Sequence, residues 1–354
     1  MKRRFSFVLI LSLWILSVGM GLAAYRAAAQ MRVQIPTAIC VTTQGTLPYP
    51  PMELWEKLSN ADAPVGCALE YAKPSISGAQ APLPLRYANP LFGDLALFPL
   101  IAGHGFSDVE TPAAILNEGA FARLFPGKSL AENSSLQIGK TAYRVVGLWE
   151  GMDDAAVYVN QLPEESTPDS LLFLVDCSKR QMLEAEVLDF LSEAIGFPLE
   201  GQTTAVWAYR EIPTALAGLG VTVSLIGLAL LLLFESVGVY LRGYRYIVER
   251  NSKWSSRFTR AILLSIAGIG AFWVSLLFIH IPNPLLPAAT IFDFSHYARI
   301  YLDFISQGGF LSEYAHRLSA TVPWIVGLSI GMTLSFWAGL AVCKMRMANS
   351  AKPD

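Results

Sequence analysis

Four long stretches of the chain contain no Asp, Glu, Lys or Arg. They are Phe5 to Tyr25, Ile212 to Phe234, Ala261 to Ile281 and Leu318 to Cys343. A helix needs roughly 20 apolar residues to cross a hydrocarbon layer about 30 Å thick. The pattern therefore predicts four transmembrane helices, at residues 1–25, 211–241, 261–281 and 318–343.

The first apolar stretch has two interpretations. A basic start and the small residues Ala27-Ala28-Ala29-Gln30 are typical of a cleaved signal peptide. The apolar core is longer than the 7 to 15 residues usual in signal peptides, which favours a retained helix or signal anchor. The rest of the topology is the same in either case.

The distribution of basic residues predicts the orientation. Twelve Lys and Arg residues flank the four stretches, before the first, between the second and third, and after the fourth. Basic residues near membrane spans remain in the cytoplasm. Segments 242–260 and 344–354 are thus expected to be cytoplasmic, and segments 26–210 and 282–317 to lie outside the cell. Between Gln30 and Glu211, 11 basic residues oppose 22 acidic ones, which fits an exported domain.

Segment 26–210 alternates strand and helix patterns. A β-branched stretch at 35–43, a helix opened by Pro48 to Pro51 and a strand at Val65 to Tyr71 form a predicted β-α-β unit. A similar pair follows at Leu171 to Val175 and Lys179 to Ile195. Between them, residues of about 80–165 are rich in Pro, Gly and short strand patterns. The predicted fold is an integral membrane α-helical protein with four transmembrane helices. Its extracytoplasmic domain is α+β, with a βαβ-type lobe and an inserted β-rich lobe.

Composition narrows the functional classes. Only 15% of the residues are charged, against about 25% in soluble domains. The formal charge of −2 and the absence of a basic domain argue against nucleic-acid binding. The chain has no Gly-x-x-x-x-Gly-Lys-Ser/Thr phosphate loop, and Gly139-Lys140-Thr141 is interpreted as a hairpin turn. Its four histidines lack metal-binding spacing. We therefore predict no catalytic, cofactor or metal site, and no enzyme activity.

Three further residues are candidates for special roles. Cys40 and Cys67 fall on the two strands of the first β-α-β unit, in an oxidising compartment if the topology holds. They form either a disulfide or two buried free thiols. Glu235 lies near the end of the second span, where ionisable groups are costly and often functional. Alternatively, Glu235 reaches interfacial water or pairs with Arg242 or Arg245.

Several short motifs together resemble a known family. Ala114-Ile-Leu-Asn-Glu, Ala122-Arg-Leu-Phe125, Gly139-Lys140 and Tyr143-Arg-Val-Val-Gly147 are similar to the periplasmic core domain of MacB/FtsX-type ABC-transporter permeases. The segment from Phe98 to Phe106 resembles the one that precedes these motifs in the family. Such permeases have one helix, an outer domain and three further helices, which is the topology predicted here.

The resemblance implies a permease subunit that relays the motion of a cytoplasmic ABC ATPase to its outer domain. A second permease subunit, identical or different, and the lipid bilayer are the other implied partners. ATP hydrolysis would belong to the ATPase, and the location would be a bacterial inner or plasma membrane with both termini cytoplasmic. Arg250, Lys253 and Trp254 lie in the inner loop where the family docks its ATPase.

That loop, Leu241 to Trp254, departs from the family because it lacks an Arg-Glu-Ile-Gly-type segment. The departure favours an alternative function. The chain would then be a membrane-anchored binding or assembly factor that keeps the fold without ATPase coupling.

Overall fold

A computed structural model describes most of the chain. The described residues are 2–44, 48–71, 76, 83–97, 99–106, 111–129, 135–151, 155–161, 168–179, 182–249, 254–279, 285–286, 294–306 and 309–350. The chain divides into two compact units. The membrane unit comprises Met1–Met31, Glu211–Pro282 and Ala320–Asp354, and the outer unit comprises Arg32–Arg210 and Asn283–Ser319.

Among the described residues, four helices are long and apolar enough to cross a membrane. They are α1 (Lys2–Gln34), α6 (Val206–Glu249), α7 (Trp254–Leu276) and α9 (Ser312–Ser350). The described helices confirm the four predicted from the uncharged stretches. Three of them extend well beyond those stretches, because backbone hydrogen bonding within a helix continues where the sequence becomes polar. The shorter helices are α2 (Pro51–Ser59), α3 (Pro90–Ala96), α4 (Glu118–Leu124), α5 (Glu184–Ile195) and α8 (Phe294–Ile305).

Small residues bring the helices of the membrane unit close together. Ala24 and Ala28 of α1, Ala217 of α6 and Ile325 of α9 form one buried cluster. Further along α6, a Cβ atom on Gly227 would lie 1.6 Å from the indole of Trp337, so a larger residue there would displace the indole. Close approach at small residues is typical of helix association in membranes.

Hydroxyl groups connect α6 to α7. Thr222 Oγ1 donates a hydrogen bond to the Ser275 carbonyl at 3.1 Å, and Ser236 Oγ donates to the Ala261 carbonyl at 2.6 Å. An unpaired hydroxyl is costly in hydrocarbon, so these bonds favour one helix pairing.

In the described part of the outer unit, the strands form one ten-stranded sheet. Its strands are β1 (Ala38–Gln44), β2 (Val65–Tyr71), β3 (Leu85–Ala88), β4 (Leu100–Gly103), β5 (Ala113–Asn117), β6 (Ser135–Ile138), β7 (Thr141–Trp149), β8 (Val157–Val159), β9 (Ser170–Asp176) and β10 (Gln202–Thr204). The order is β10-β1-β9-β2-β3-β8-β5-β7-β4, and β6 also pairs with β7.

The sheet is continuous across the two predicted lobes, so the proposed division into lobes is not confirmed. β3 pairs in parallel with β8, with Leu85 opposite Val157, and this pairing carries the sheet from one half to the other. In the first half, β9 lies between β1 and β2 and is antiparallel to both. The predicted β-α-β unit therefore has another strand inserted between its two strands.

Local sequence signals account for most elements. The turn between β6 and β7 has Gly139 at φ 58°, a conformation that glycine adopts without strain, and the predicted hairpin is confirmed. α2 begins at Pro51, the last residue of the segment from Pro48 to Pro51 that was predicted to open it. α5 begins at Glu184, later than predicted, because the Glu186 side chain accepts a hydrogen bond from the Leu183 backbone and fixes the helix start there.

Candidate functional site: the docking segment of the outer unit

The last part of the outer unit packs against its sheet domain. A short 3-10 turn at Gly309–Leu311 leads into the first turns of α9, and we call residues 309–319 the docking segment. Phe310, Tyr314 and Leu318 recur every four residues, so they lie on one helix face, and all three are buried. The segment is therefore anchored in the outer unit by an apolar stripe.

Two aromatic residues of this stripe contact α3. The Phe310 ring lies 5.3 Å from the ring of Phe92 and 5.5 Å from that of Tyr314, measured between centroids. The Tyr314 hydroxyl donates a hydrogen bond to the Ala96 carbonyl at the end of α3. Ala96 is one of the last carbonyls of a helix and has no partner within that helix, so the tyrosine satisfies it.

A buried arginine lies beneath these rings. Arg86 of β3 is only 1% exposed; its Nε donates to Glu70 Oε2 and its Nη1 to the Tyr158 hydroxyl, both at 2.7 Å. Its guanidinium also lies 5.9 Å from the Phe310 ring centroid. A buried cation requires a paired charge and satisfied donors. The Glu70 carboxylate supplies the paired charge, the Tyr158 hydroxyl accepts a hydrogen bond, and the Phe310 ring lies near the guanidinium.

A polar contact lies at the far end of the docking segment. Arg317 Nη2 is 3.6 Å from Glu150 Oε2, and Arg317 Nη1 donates to the Gln34 carbonyl at 3.3 Å. Glu150 follows β7 and Gln34 ends α1. One arginine thus joins the start of α9 to the end of α1 and to the sheet.

Helix α8 makes a second contact of the same kind. Phe304 is fully buried and its ring is stacked on that of Tyr209 at 3.8 Å, with 13° between the planes. Residues 294–306 and 309–319 therefore contribute to the outer unit at two places. The sequence assigns residues 282–317 to a loop outside the cell, and its alternation of apolar and charged residues from Phe292 to Ile305 predicts a helix lying at the membrane surface.

Glu235 lies in an ion-pair cluster of the membrane unit. Its carboxylate is 3.7 Å from Arg242 of the same helix and 3.8 Å from Lys344 of α9. The glutamate side chain is about one-third exposed. The cluster thus joins α6 to α9 at the basic ends of both helices.

The other predicted site residues are placed as follows. Arg250 and Lys253 lie outside the described residues, and Trp254 is the first residue of α7.

Cys40 and Cys67 are free, buried thiols. The disulfide alternative is wrong for this structure, because β9 lies between their strands and cysteines two strands apart are too distant to bond. Burial raises the pKa of Cys40 to about 12 and that of Cys67 well above its ordinary value.

An open groove of about 1120 Å³ lies between α2 and the start of α3. Its lining mixes apolar side chains such as Trp55 and Leu91 with Glu53, Glu56 and Lys57. Within the described ranges, no three His, Cys, Asp or Glu residues are grouped as metal ligands.

Sequence reasoning missed Arg86, Phe310 and Tyr314. The four-residue spacing of Phe310, Tyr314 and Leu318 was a usable signal, since it marks one apolar helix face before the uncharged stretch begins. No local pattern marks Arg86 as buried, because its partners come from other strands.

Comparisons with known proteins found similarities to solved structures, two of which are described here. No protein-family model matches the chain, and no curated protein matches it. The periplasmic region of MacB from Actinobacillus actinomycetemcomitans is similar at 14% identity and a TM-score of 0.38, over 49% of this chain and 91% of that one. The extracellular domain of the noncanonic ABC-type transporter YknZ from Gram-positive bacteria is similar at 12% identity and a TM-score of 0.35, over 47% and 99%.

Proposed function

We propose that the chain is the transmembrane subunit of an ABC-type complex in a bacterial inner or plasma membrane. A partner ATPase in the cytoplasm hydrolyses ATP, and this chain relays the resulting motion to its outer unit for export or another envelope function. The chain itself has no catalytic role. A second permease subunit, identical or different, completes the complex.

The observation that carries this proposal is the continuity of α9. The helix begins in the docking segment, where Tyr314 and Phe310 are buried in the outer unit, and it continues to Ser350. Its 39 residues span roughly 58 Å, about twice the hydrocarbon thickness. In this proposal, a displacement at the basic end of α9 is passed along the helix to the docking segment.

Two further features support the relay. Lys344 of α9 pairs with Glu235 of α6, so an ion pair connects the two helices at their basic ends. The sequence motifs of β5, α4 and β7 are those that resemble the outer domain of MacB/FtsX-type permeases. The relay requires two states that differ in their contacts with the ATPase.

Purification of the native complex tests the proposal. The tagged chain is isolated in mild detergent, and we expect an ABC ATPase to co-purify. Replacing Arg250, Lys253 and Trp254 together by alanine should weaken recovery of the ATPase, whereas Lys140→Ala in the outer hairpin should not. Repeated isolation without an ATPase would contradict the proposal. Unchanged recovery with the triple variant would remove the inner loop from the coupling role.

A second function is favoured by the inner loop itself. Leu241 to Trp254 keeps basic residues but lacks the family's coupling motif. The chain would then be a membrane-anchored binding or assembly factor. In that case the same purification recovers an envelope protein bound to the outer unit and no ATPase.

A further inference from the structure

The open groove between α2 and the start of α3 has the dimensions of a peptide site, and we call it the α2 groove. Its volume of about 1120 Å³ exceeds the roughly 300–1,000 Å³ of most small-molecule sites. The groove follows α2 from Met52 to Asn60, which is roughly 12 Å along the helix axis. An extended chain rises about 3.3 Å per residue, so about four extended residues match this length.

The apolar walls of the α2 groove are exposed and yet held in place. Met52 is 67% exposed and Leu91 is 41% exposed. The Trp55 ring lies 5.3 Å from the buried Tyr87 ring, measured between centroids, and the Tyr87 hydroxyl donates to Met52 Sδ at 3.6 Å. The Asn89 side chain, which also lines the groove, forms two hydrogen bonds with the backbone of β2. Walls that are already fixed lose little freedom when a partner binds, which favours binding.

The charge of the α2 groove favours a basic occupant. Glu53, Glu56 and Lys57 line the groove. Lys57 Nζ lies 3.5 Å from Glu53 Oε1 and donates to the Ile195 carbonyl at 3.1 Å, so the lysine is already engaged with Glu53 and the end of α5. Among the described residues, none forms an ion pair with the exposed Glu56 carboxylate. The segment from Gln30 to Glu211 also has 22 acidic residues and only 11 basic ones, which attracts basic partners.

We propose that the α2 groove binds an extended basic segment of a partner protein. An apolar side chain of this segment packs against Met52, Trp55 and Leu91, and a neighbouring lysine or arginine pairs with Glu56. Burial of the apolar side chain provides affinity, and the charge pair selects basic segments over acidic ones. The site lies wholly within the outer unit, and the inference is independent of the partner ATPase.

Binding of a labelled peptide to the full chain, in nanodiscs of uncharged phosphatidylcholine, tests the proposal. The probe is fluorescein-labelled Gly-Lys-Leu-Arg-Leu-Lys-Gly, and the comparison peptide has glutamate in place of each lysine and arginine. Fluorescence anisotropy is measured with the wild type and with the groove variants Glu56→Lys and Leu91→Ser. Asp189→Lys and Leu183→Ser are the matched controls, because both residues are exposed at α5 and do not line the groove.

We expect the basic peptide to bind and the acidic peptide not to bind. Glu56→Lys should weaken binding by about fivefold or more, since an attraction becomes a repulsion. Leu91→Ser should weaken binding by about fivefold, since apolar contact is lost. The two control variants should bind like the wild type. Unfolding temperatures equal to that of the wild type show that the groove variants are folded.

Three results would overturn the proposal. They are absence of binding to the wild type, equal binding of the two peptides, and unchanged binding by both groove variants. If the wild type does not bind the peptide and Glu56→Lys converts a dimer to a monomer in mass photometry, a second copy of the chain fills the groove instead.

Discussion

Removing the Phe310 ring should release the docking segment from the outer unit. The side chain is only 4% exposed and contacts the Phe92 ring, the Tyr314 ring and the Arg86 guanidinium. Replacing a buried Phe by Ala costs about 3–5 kcal/mol, since apolar burial is lost and a cavity remains. The docking segment remains connected to the chain on both sides. We therefore expect Phe310→Ala to lower the free energy of its local opening by the smaller value of this range, about 3 kcal/mol.

Hydrogen–deuterium exchange of Phe310→Ala measures this change directly. A loss of about 3 kcal/mol corresponds to roughly hundredfold faster exchange in residues 310–318. Leu302→Ala is the matched control, because Leu302 belongs to neighbouring α8 and is mostly exposed, and its loss should leave exchange unchanged. Equal exchange in the wild type and Phe310→Ala would refute the reasoning that this stripe anchors α9 in the outer unit.

Three further predictions concern packing, charge and burial. Gly227→Ala should lower the thermal stability of the detergent-solubilised chain by about 1–3 kcal/mol. Gly270 has open space around it, so Gly270→Ala should be neutral or slightly stabilising. Equal unfolding temperatures of the two variants would contradict this prediction. Glu70→Ala should destabilise by about 3 kcal/mol in denaturant unfolding, because it removes a carboxylate that pairs with a buried cation, and Arg86→Met should cost less; the reverse order would contradict it. The folded-state pKa of Cys40, about 12, exceeds the ordinary 9.0, so its contribution to stability is complete below pH 9.0 and is lost as the pH rises towards 12. Unfolding at pH 8 and pH 10 should show this loss, and Cys40→Ala should show less of it.

The sequence predicted the elements that have local signals. An uncharged stretch of about 20 residues predicts a membrane helix almost alone, since a helix satisfies the backbone polar groups of a single segment within lipid. Strands such as β2, with Val65 to Tyr71, and the Gly139-Lys140 hairpin follow from residue type and turn chemistry over a few positions. These predictions need no knowledge of the rest of the chain.

Contacts between distant segments were not predictable in this way. The pairing of β3 with β8 joins residues some 70 positions apart. Neither short strand has a residue pattern that identifies the other as its partner. The burial of Arg86 depends on Glu70, Tyr158 and Phe310, which come from three other segments. The packing of the docking segment in the outer unit was not predicted, because its apolar residues adjoin an uncharged stretch that is itself interpreted as a membrane span.

Labelling of intact cells tests the central claim, that the outer unit faces the exterior and the basic segments face the cytoplasm. Lys140→Cys and Lys253→Cys are made in a Cys343→Ser background, where Cys40, Cys67 and Cys177 remain buried. A membrane-impermeant maleimide should modify position 140 in intact cells and position 253 only after the membrane is opened. Modification of position 253 in intact cells, with position 140 protected, would contradict the account.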